Sequence, residues 1–263
     1  MAADAMGEQP WRASQGVPEI NKIGIVDLTA ALREGWDDFK ATAYIGLPLA
    51  AIFVVGGWVL IWATLQDSYR GLSFPLVAGF ALVGPFAAVG YYEISRRREL
   101  GLPTNWRAIG GVVKAATRRQ IVTLGFVLMF ALAVWSRVAV IIYAIFFGLK
   151  SVDFLALIEA VFTTSDGMMF FVVGNLAGAF FATVVFSFSV ISFPFLLDRD
   201  ADVITAIVAS VKSVLENPRP MLLWAGLIGC VMVVASIPAF LGLFIALPIL
   251  GHASWRLYRR VAA

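Results

Sequence analysis

Charge disappears from this chain in long blocks. No Asp, Glu, Lys or Arg occurs from Ala41 to Gln66, Gly71 to Tyr92, Gly167 to Leu197 or Pro220 to Trp255, runs of 26, 22, 31 and 36 residues. One helical crossing of a bilayer takes about 20 apolar residues, so every run is long enough to span. A further apolar stretch, Gln120 to Leu149, is interrupted by one charge, Arg137. The last run is too long for a single crossing: its 36 residues make about 54 Å at ~1.5 Å each, nearly twice the ~30 Å of hydrocarbon. Pro238 stands at its centre, where the missing backbone donor favours a turn between two helices. Spans are expected near 43–65 and 74–92, from 120, over 168–197, and twice within 220–255, six in all.

Ahead of each pair of spans lies a polar-flanked segment with helical periodicity. In "DLTAALREGWDDFK", Leu28, Leu32, Trp36 and Phe39 share a face and Asp27 is placed to cap the helix. In "TNWRAIGGVVKAATRRQ", Trp106, Ile109, Val113 and Ala116 recur at helical spacing, with Arg107, Lys114 and Arg118 on the polar side. In "DADVITAIVASVKSVLEN", Ile204, Ile207, Val211 and Leu215 do the same after Asp200 and before Asn217 and Pro218. Each unit also places a proline, Pro85, Pro194 or Pro248, shortly before a charged exit.

The expected fold is therefore an all-α membrane protein of six transmembrane helices, arranged as three repeats of an amphipathic helix plus a two-span hairpin. A flexible arm over 1–24 precedes a single membrane domain over 25–260, with repeat units at about 25–98, 103–198 and 200–260. Duplicated units of this kind build transporters, with ligand sites at the repeat interface, and build scaffolds as well. The amphipathic helices either lie on the anionic leaflet or cap the cytoplasmic ends of the spans. A separate segment, "SVDFLALIEAVFTTSDG", reads as a short helix on the outer interface.

Composition agrees with the pattern: 60% of the 263 residues are hydrophobic and 14% charged, with mean hydropathy +0.87, against about 45–50% apolar in soluble domains. Charge then sets the orientation. With six spans and both termini cytoplasmic, seventeen of the 20 Lys and Arg residues fall inside, and only Arg70 and Lys150 fall in outer loops. The first 40 residues carry eleven charges and no apolar core, so no cleavable signal peptide is expected. The net charge of +3 reflects topology, and no nucleic-acid partner is expected. The single cysteine, Cys230, excludes a disulfide within the chain. One histidine excludes a bis-histidine haem within one chain and a haem–copper centre. Hydrolase, phosphate-loop and zinc-protease signatures are missing. The chain reads as no enzyme, with no cofactor or metal.

Six residues are candidates for function or packing. Arg137 is an ionisable residue inside a membrane run, which marks it for function by default. Counted from Gln120 it is the eighteenth residue, about 26 Å along the helix at ~1.5 Å per residue. Two readings stay open: the helix bends near Trp135 to Arg137 and the guanidinium reaches outer headgroups, or the helix stays straight and Arg137 points at Asn175, the amide of the fourth span. His252 is a lone imidazole near the inner end of the last span, a poor metal site and a candidate structural histidine. Glu93 is placed to pair with Arg96, Arg97 or a C-terminal arginine. Gly174 and Gly178, followed by Ala182, form a small-residue stripe that permits close helix contact. The acidic residues Asp198, Asp200 and Asp202 read as capping a helix start.

Four blocks in order, "ALREGWDDF", "FPLVAGFALVGPFAAVGYYEISRRRE", "FPFLLDRDADVITAIVASV" with "NPRPMLLW", and "LPILGHASWRLYRR", resemble a bacterial integral-membrane family, the domain-of-unknown-function family 2189, from about Ile25 to Arg260. The resemblance implies a multi-pass protein of the bacterial inner membrane and no established activity. Some relatives carry the label of cytochrome oxidase subunits, which leaves association with a respiratory complex open. The single histidine argues against a catalytic part in one. The helix-plus-hairpin plan is more weakly similar to membrane domains attached to some glycerophosphodiesterases. Two functions follow as expectations: a non-enzymatic assembly or accessory component of a membrane complex, or a transporter of a small anionic molecule or lipid whose wet cavity reaches Arg137. The lipid bilayer and a membrane-protein partner are the expected contacts, and the oligomeric state is left open.

Overall fold

The computed structural model describes residues 16–65, 88–107, 111, 117–148 and 154–262. Most of the second expected span lies outside these, with Arg70, Pro85, Ile109, Val113, Lys114, Ala116 and Lys150. Among the described residues the chain is helical and has no strand: α1 Ile25–Leu65, α2 over 88–99, α3 Thr117–Phe147, α4 Phe154–Thr163, α5 Ser165–Ser189, α6 Ser192–Asp198, α7 Val203–Glu216, α8 Pro218–Ser236 and α9 Leu243–Ala262. Among the described residues four stretches are long and apolar enough to cross a membrane: Ile25–Ala63, Arg119–Phe147, Ser165–Asp198 and Pro218–Ser236.

The first amphipathic segment and the first span form one helix, α1, interrupted by non-helical torsions at Thr42 (φ −127°, ψ 16°). Thr42 Oγ1 donates to the Asp38 carbonyl at 2.7 Å, and a hydroxyl bonding back four residues is a known cause of helix bending. Below the kink, Leu28, Ala31, Asp38 and Thr42 are buried. Asp27 sits inside the first turn, where its carboxylate accepts the Gly24 N–H at 2.8 Å.

The turn expected at Pro238 is present between α8 and α9, with positive φ at Ala239 (50°) and Phe240 (64°). Trp58 Nε1 of α1 donates to the Ala239 carbonyl at 2.7 Å and so ties this turn to the first span. From there α9 runs back along α1. Contact between them is backbone-close: a Cβ on Gly35 would sit 2.7 Å from the Ala253 nitrogen, and one on Gly251 would sit 2.6 Å from Tyr91 Cβ of α2. Glycine at these two positions lets three helices meet without an intervening side chain. Around them Trp224, Trp255, Tyr258, Phe195 and Leu124 are almost fully buried.

The other half of the molecule is held by rings. Over the stretch containing Arg137, α3 is one helix of 31 residues, about 46 Å at ~1.5 Å per residue. It packs on α5 through Trp135 and Phe181, 5.4 Å apart, and through Tyr143 and Phe147 against Phe170. The α7 helix turns its small residues inward: Ala206, Ala209, Ser210 and Ser213 are fully buried, whereas Ile204 and Leu215 of the expected apolar face are 74% exposed.

Two glycines separate packing from bare space. Gly35→Ala forces its methyl into the Ala253 backbone, and overpacking of this kind costs about 1–3 kcal/mol. Nothing lies within 4 Å of a Cβ on Gly174. Thermal unfolding in mild detergent is expected to show a lowered midpoint for G35A and an unchanged one for G174A.

Candidate functional site: a buried ionic layer and a membrane groove

Asp38 anchors the layer. It lies one turn before the Thr42 kink, on the face of α1 that also carries Leu28, Ala31 and Gly35, and it is 2% exposed. A buried carboxylate must be paired and hydrogen-bonded or it neutralises. Asp38 accepts from Ser95 Oγ (2.7 Å) and Arg98 Nη1 (2.6 Å) of α2, and from Arg256 Nε (3.0 Å) and Nη2 (2.9 Å) of α9. Three helices meet on one carboxylate.

The pairing continues outward. Arg260 holds Glu34 at 2.6 Å. Arg259 reaches Glu99 at 3.0 Å and Asp198 at 3.3 Å. Trp255 Nε1 donates to Glu99 at 3.0 Å, and the Tyr258 hydroxyl donates to Asp198 at 2.8 Å. Burial, together with the adjacent Asp198 carboxylate, pushes the Tyr258 phenol well above its usual range. Asp198 thus serves α9 instead of standing with Asp200 and Asp202. Asp202 caps α7, where the Thr205 N–H and hydroxyl hold its carboxyl below the usual range.

His252 enters this layer through Ser95, whose Oγ lies 2.8 Å from His252 Nδ1. As a carboxylate, Asp38 can only accept, so the single Ser95 proton goes to Asp38 and Ser95 accepts from Nδ1–H. The imidazole is then a neutral Nδ1–H tautomer whose Nε2 lone pair is buried and has no hydrogen-bond partner. Tyr91 stands edge-on to the ring at 5.4 Å.

Glu93, 2% exposed, pairs with Arg97 at 2.6 Å and Arg96 at 3.3 Å on its own helix. Arg137 and Asn175 are not brought together. Arg137 is exposed, and at about 100° per residue it lies on the side of α3 opposite Trp135. Asn175 Nδ2 donates to its own Phe171 carbonyl at 2.7 Å. Asn175 instead lines a groove of about 540 Å³ between α3 and α5, with Trp135, Ile142, Phe171, Gly174 and Gly178. Gly178 accommodates the Trp135 ring, 3.4 Å from where its Cβ would be, and Gly174 is open.

The layer's central members, Asp38, Ser95, Arg98 and Arg256, are not evident as a site from the sequence. One signal was available: 28, 31, 35, 38 and 42 recur at helical spacing, which places Asp38 on an otherwise buried stripe.

Two parts of this geometry, the ionic exit of α2 and the membrane groove, fall within one stretch that matches a known family. Residues 73–198 match the family described as "Predicted integral membrane protein (DUF2189)". Over that stretch the chain is similar to this family. No activity is established for that family. The match is narrower than the expected 25–260: it includes Glu93, Arg137, Gly174, Asn175 and Gly178 and leaves out His252 and Asp38. No curated protein and no solved structure matches the chain.

Asp38→Asn leaves two half-buried guanidiniums without their counter-charge, and breaking a buried pair costs about 3–5 kcal/mol. A large fall in detergent thermal stability is expected for D38N.

Proposed function

We propose that this protein is a non-enzymatic, multi-pass protein of the bacterial inner membrane that serves as an assembly or accessory component of a membrane complex, such as a respiratory complex. One observation carries the reading. The α3–α5 groove presents an open Gly174 beside an Asn175 whose side-chain oxygen accepts no hydrogen bond from the described residues. Between helices in lipid, association rests on close backbone approach through small residues and on side-chain amides bonding across the contact. The groove has both and fits a partner's transmembrane helix. The ionic layer has its main charges paired internally, which suits a structural lock.

The transporter reading draws on a cavity that reaches Arg137, and the groove lacks that residue. Six spans remain our topology, built as three helix-plus-hairpin repeats, with the second span in the stretch after α1 and the last in the α8–α9 hairpin. Support comes from the positive-inside count and from the tied turn at Ala239.

Purification of the full chain in mild detergent is expected to yield a stoichiometric membrane-protein partner. Gly174→Leu projects into the groove from a position where a Cβ meets nothing within 4 Å, so G174L is expected to lose the partner while keeping its thermal midpoint. A lone protomer carrying a small molecule would overturn the accessory role in favour of transport. Topology reporters at Ser68 and Ser165 are expected outside and one at the C-terminus inside; an outside C-terminus would overturn six spans.

A further inference from the structure

The α7 helix has three faces. At about 100° per residue, Ile204, Ile207, Val208, Val211 and Leu215 occupy one arc of roughly 100°. Thr205, Lys212 and Glu216 occupy the next narrow strip. The remaining side carries Ala206, Ala209, Ser210 and Ser213, which are fully buried, together with the buried Val203 and Val214. An ordinary amphipathic helix buries its large aliphatic residues against the core. Here four small residues with Val203 and Val214 pack on the protein and Ile207 sits at the edge of the contact, while Ile204 (74%), Leu215 (74%) and Val208 (46%) stay exposed.

The rotation that produces this is pinned. The Ile191 N–H donates to Ser210 Oγ at 3.1 Å, and Ser192 Oγ donates to the Ala206 carbonyl at 3.0 Å. At the far end Asn217 Oδ1 accepts the Ile23 N–H at 2.9 Å, and Asn217 Nδ2 donates to the Asn21 carbonyl at 3.0 Å. The aliphatic arc therefore cannot roll inward. Both ends of α7 also run into spanning stretches: one ends at Asp198 and the next begins at Pro218. The helix of 14 residues, about 21 Å long at ~1.5 Å per residue, is held at the membrane boundary.

We propose that α7 is a lipid-binding interfacial helix whose aliphatic arc inserts into the acyl–headgroup boundary of the leaflet on the ionic-layer side. The protein, lipid and water faces follow one another around its axis, which is the order required of a helix lying against the bundle in the plane of the interface. Lys212 stands at the water edge, 44% exposed at its side chain. The occupant of the arc is lipid, not a protein partner, and this assignment does not depend on what the α3–α5 groove binds.

Single nitroxides on the full chain test it. Cys230 is exposed, so it is first replaced by C230A, and labels are then placed at I204C, L215C and K212C. In phosphatidylcholine–phosphatidylglycerol vesicles, I204C and L215C are expected to collide preferentially with oxygen, and K212C with a water-soluble nickel chelate. The oxygen-to-nickel accessibility ratio thus passes from above one to below one between the two edges of one helix. Preference for the nickel chelate at all three positions would overturn the proposal by placing the arc in water. Protection of I204C and L215C from both reagents would overturn it by showing that protein covers them. Unfolding midpoints matching the C230A parent establish that the labelled chains are folded.

Discussion

A carboxylate withdrawn from water must be surrounded by donors, and Asp38 draws its donors from two helices other than its own. That requirement sets the depth and rotation of α1, α2 and α9 together, because a shift of any one removes a partner. Net stability gained from such a cluster is small, since the desolvation of the charges offsets their attraction. Its effect is on uniqueness: a misplaced helix leaves a buried charge unpaired, and that state is strongly disfavoured. Gly35 and Gly251 make the arrangement reachable by letting the backbones approach closely enough for Asp38 to be enclosed.

Away from this layer the physics changes. Apolar helices gain little from burying hydrocarbon against each other when lipid is equally apolar, so shape complementarity and a few polar contacts decide which surfaces meet. The α3–α5 pair is held by ring contacts at Trp135, Phe181 and Phe170, and between those contacts it leaves the groove at Gly174 and Asn175. The same principle bears on α7, which packs small residues with Val203 and Val214 on the protein and leaves Ile204, Val208 and Leu215 exposed. The partner helix proposed for the groove and the lipid proposed for α7 follow from one rule.

Much of the architecture was legible along the chain. Long charge-free runs announced membrane helices because charge is costly in hydrocarbon at any point of a fold, and Pro238 announced the α8–α9 turn because its missing donor acts locally. The family match contains Ser95, Arg98, Glu99 and Asp198 of the ionic layer and leaves out Glu34, Asp38 and Arg256. Their meeting was not legible. Asp38 lies 218 positions from Arg256 in the chain, and helical periodicity reports a face without naming what lies against it.

The amphipathic segments show where that limit falls. Leu28 and Leu215 come from equivalent patterns, yet Leu28 is buried at 6% exposure and Leu215 is open at 74%. Likewise Arg137 and Asn175, the natural pair on paper, face different surroundings, because the rotation of α3 is set by Trp135 seated at Gly178. Secondary structure, spans and turns depend on short-range chemistry and were present in the residues themselves. Which face packs, which charge is enclosed and which groove stays open depend on contacts between residues remote in the chain, and those exist only once the helices have assembled.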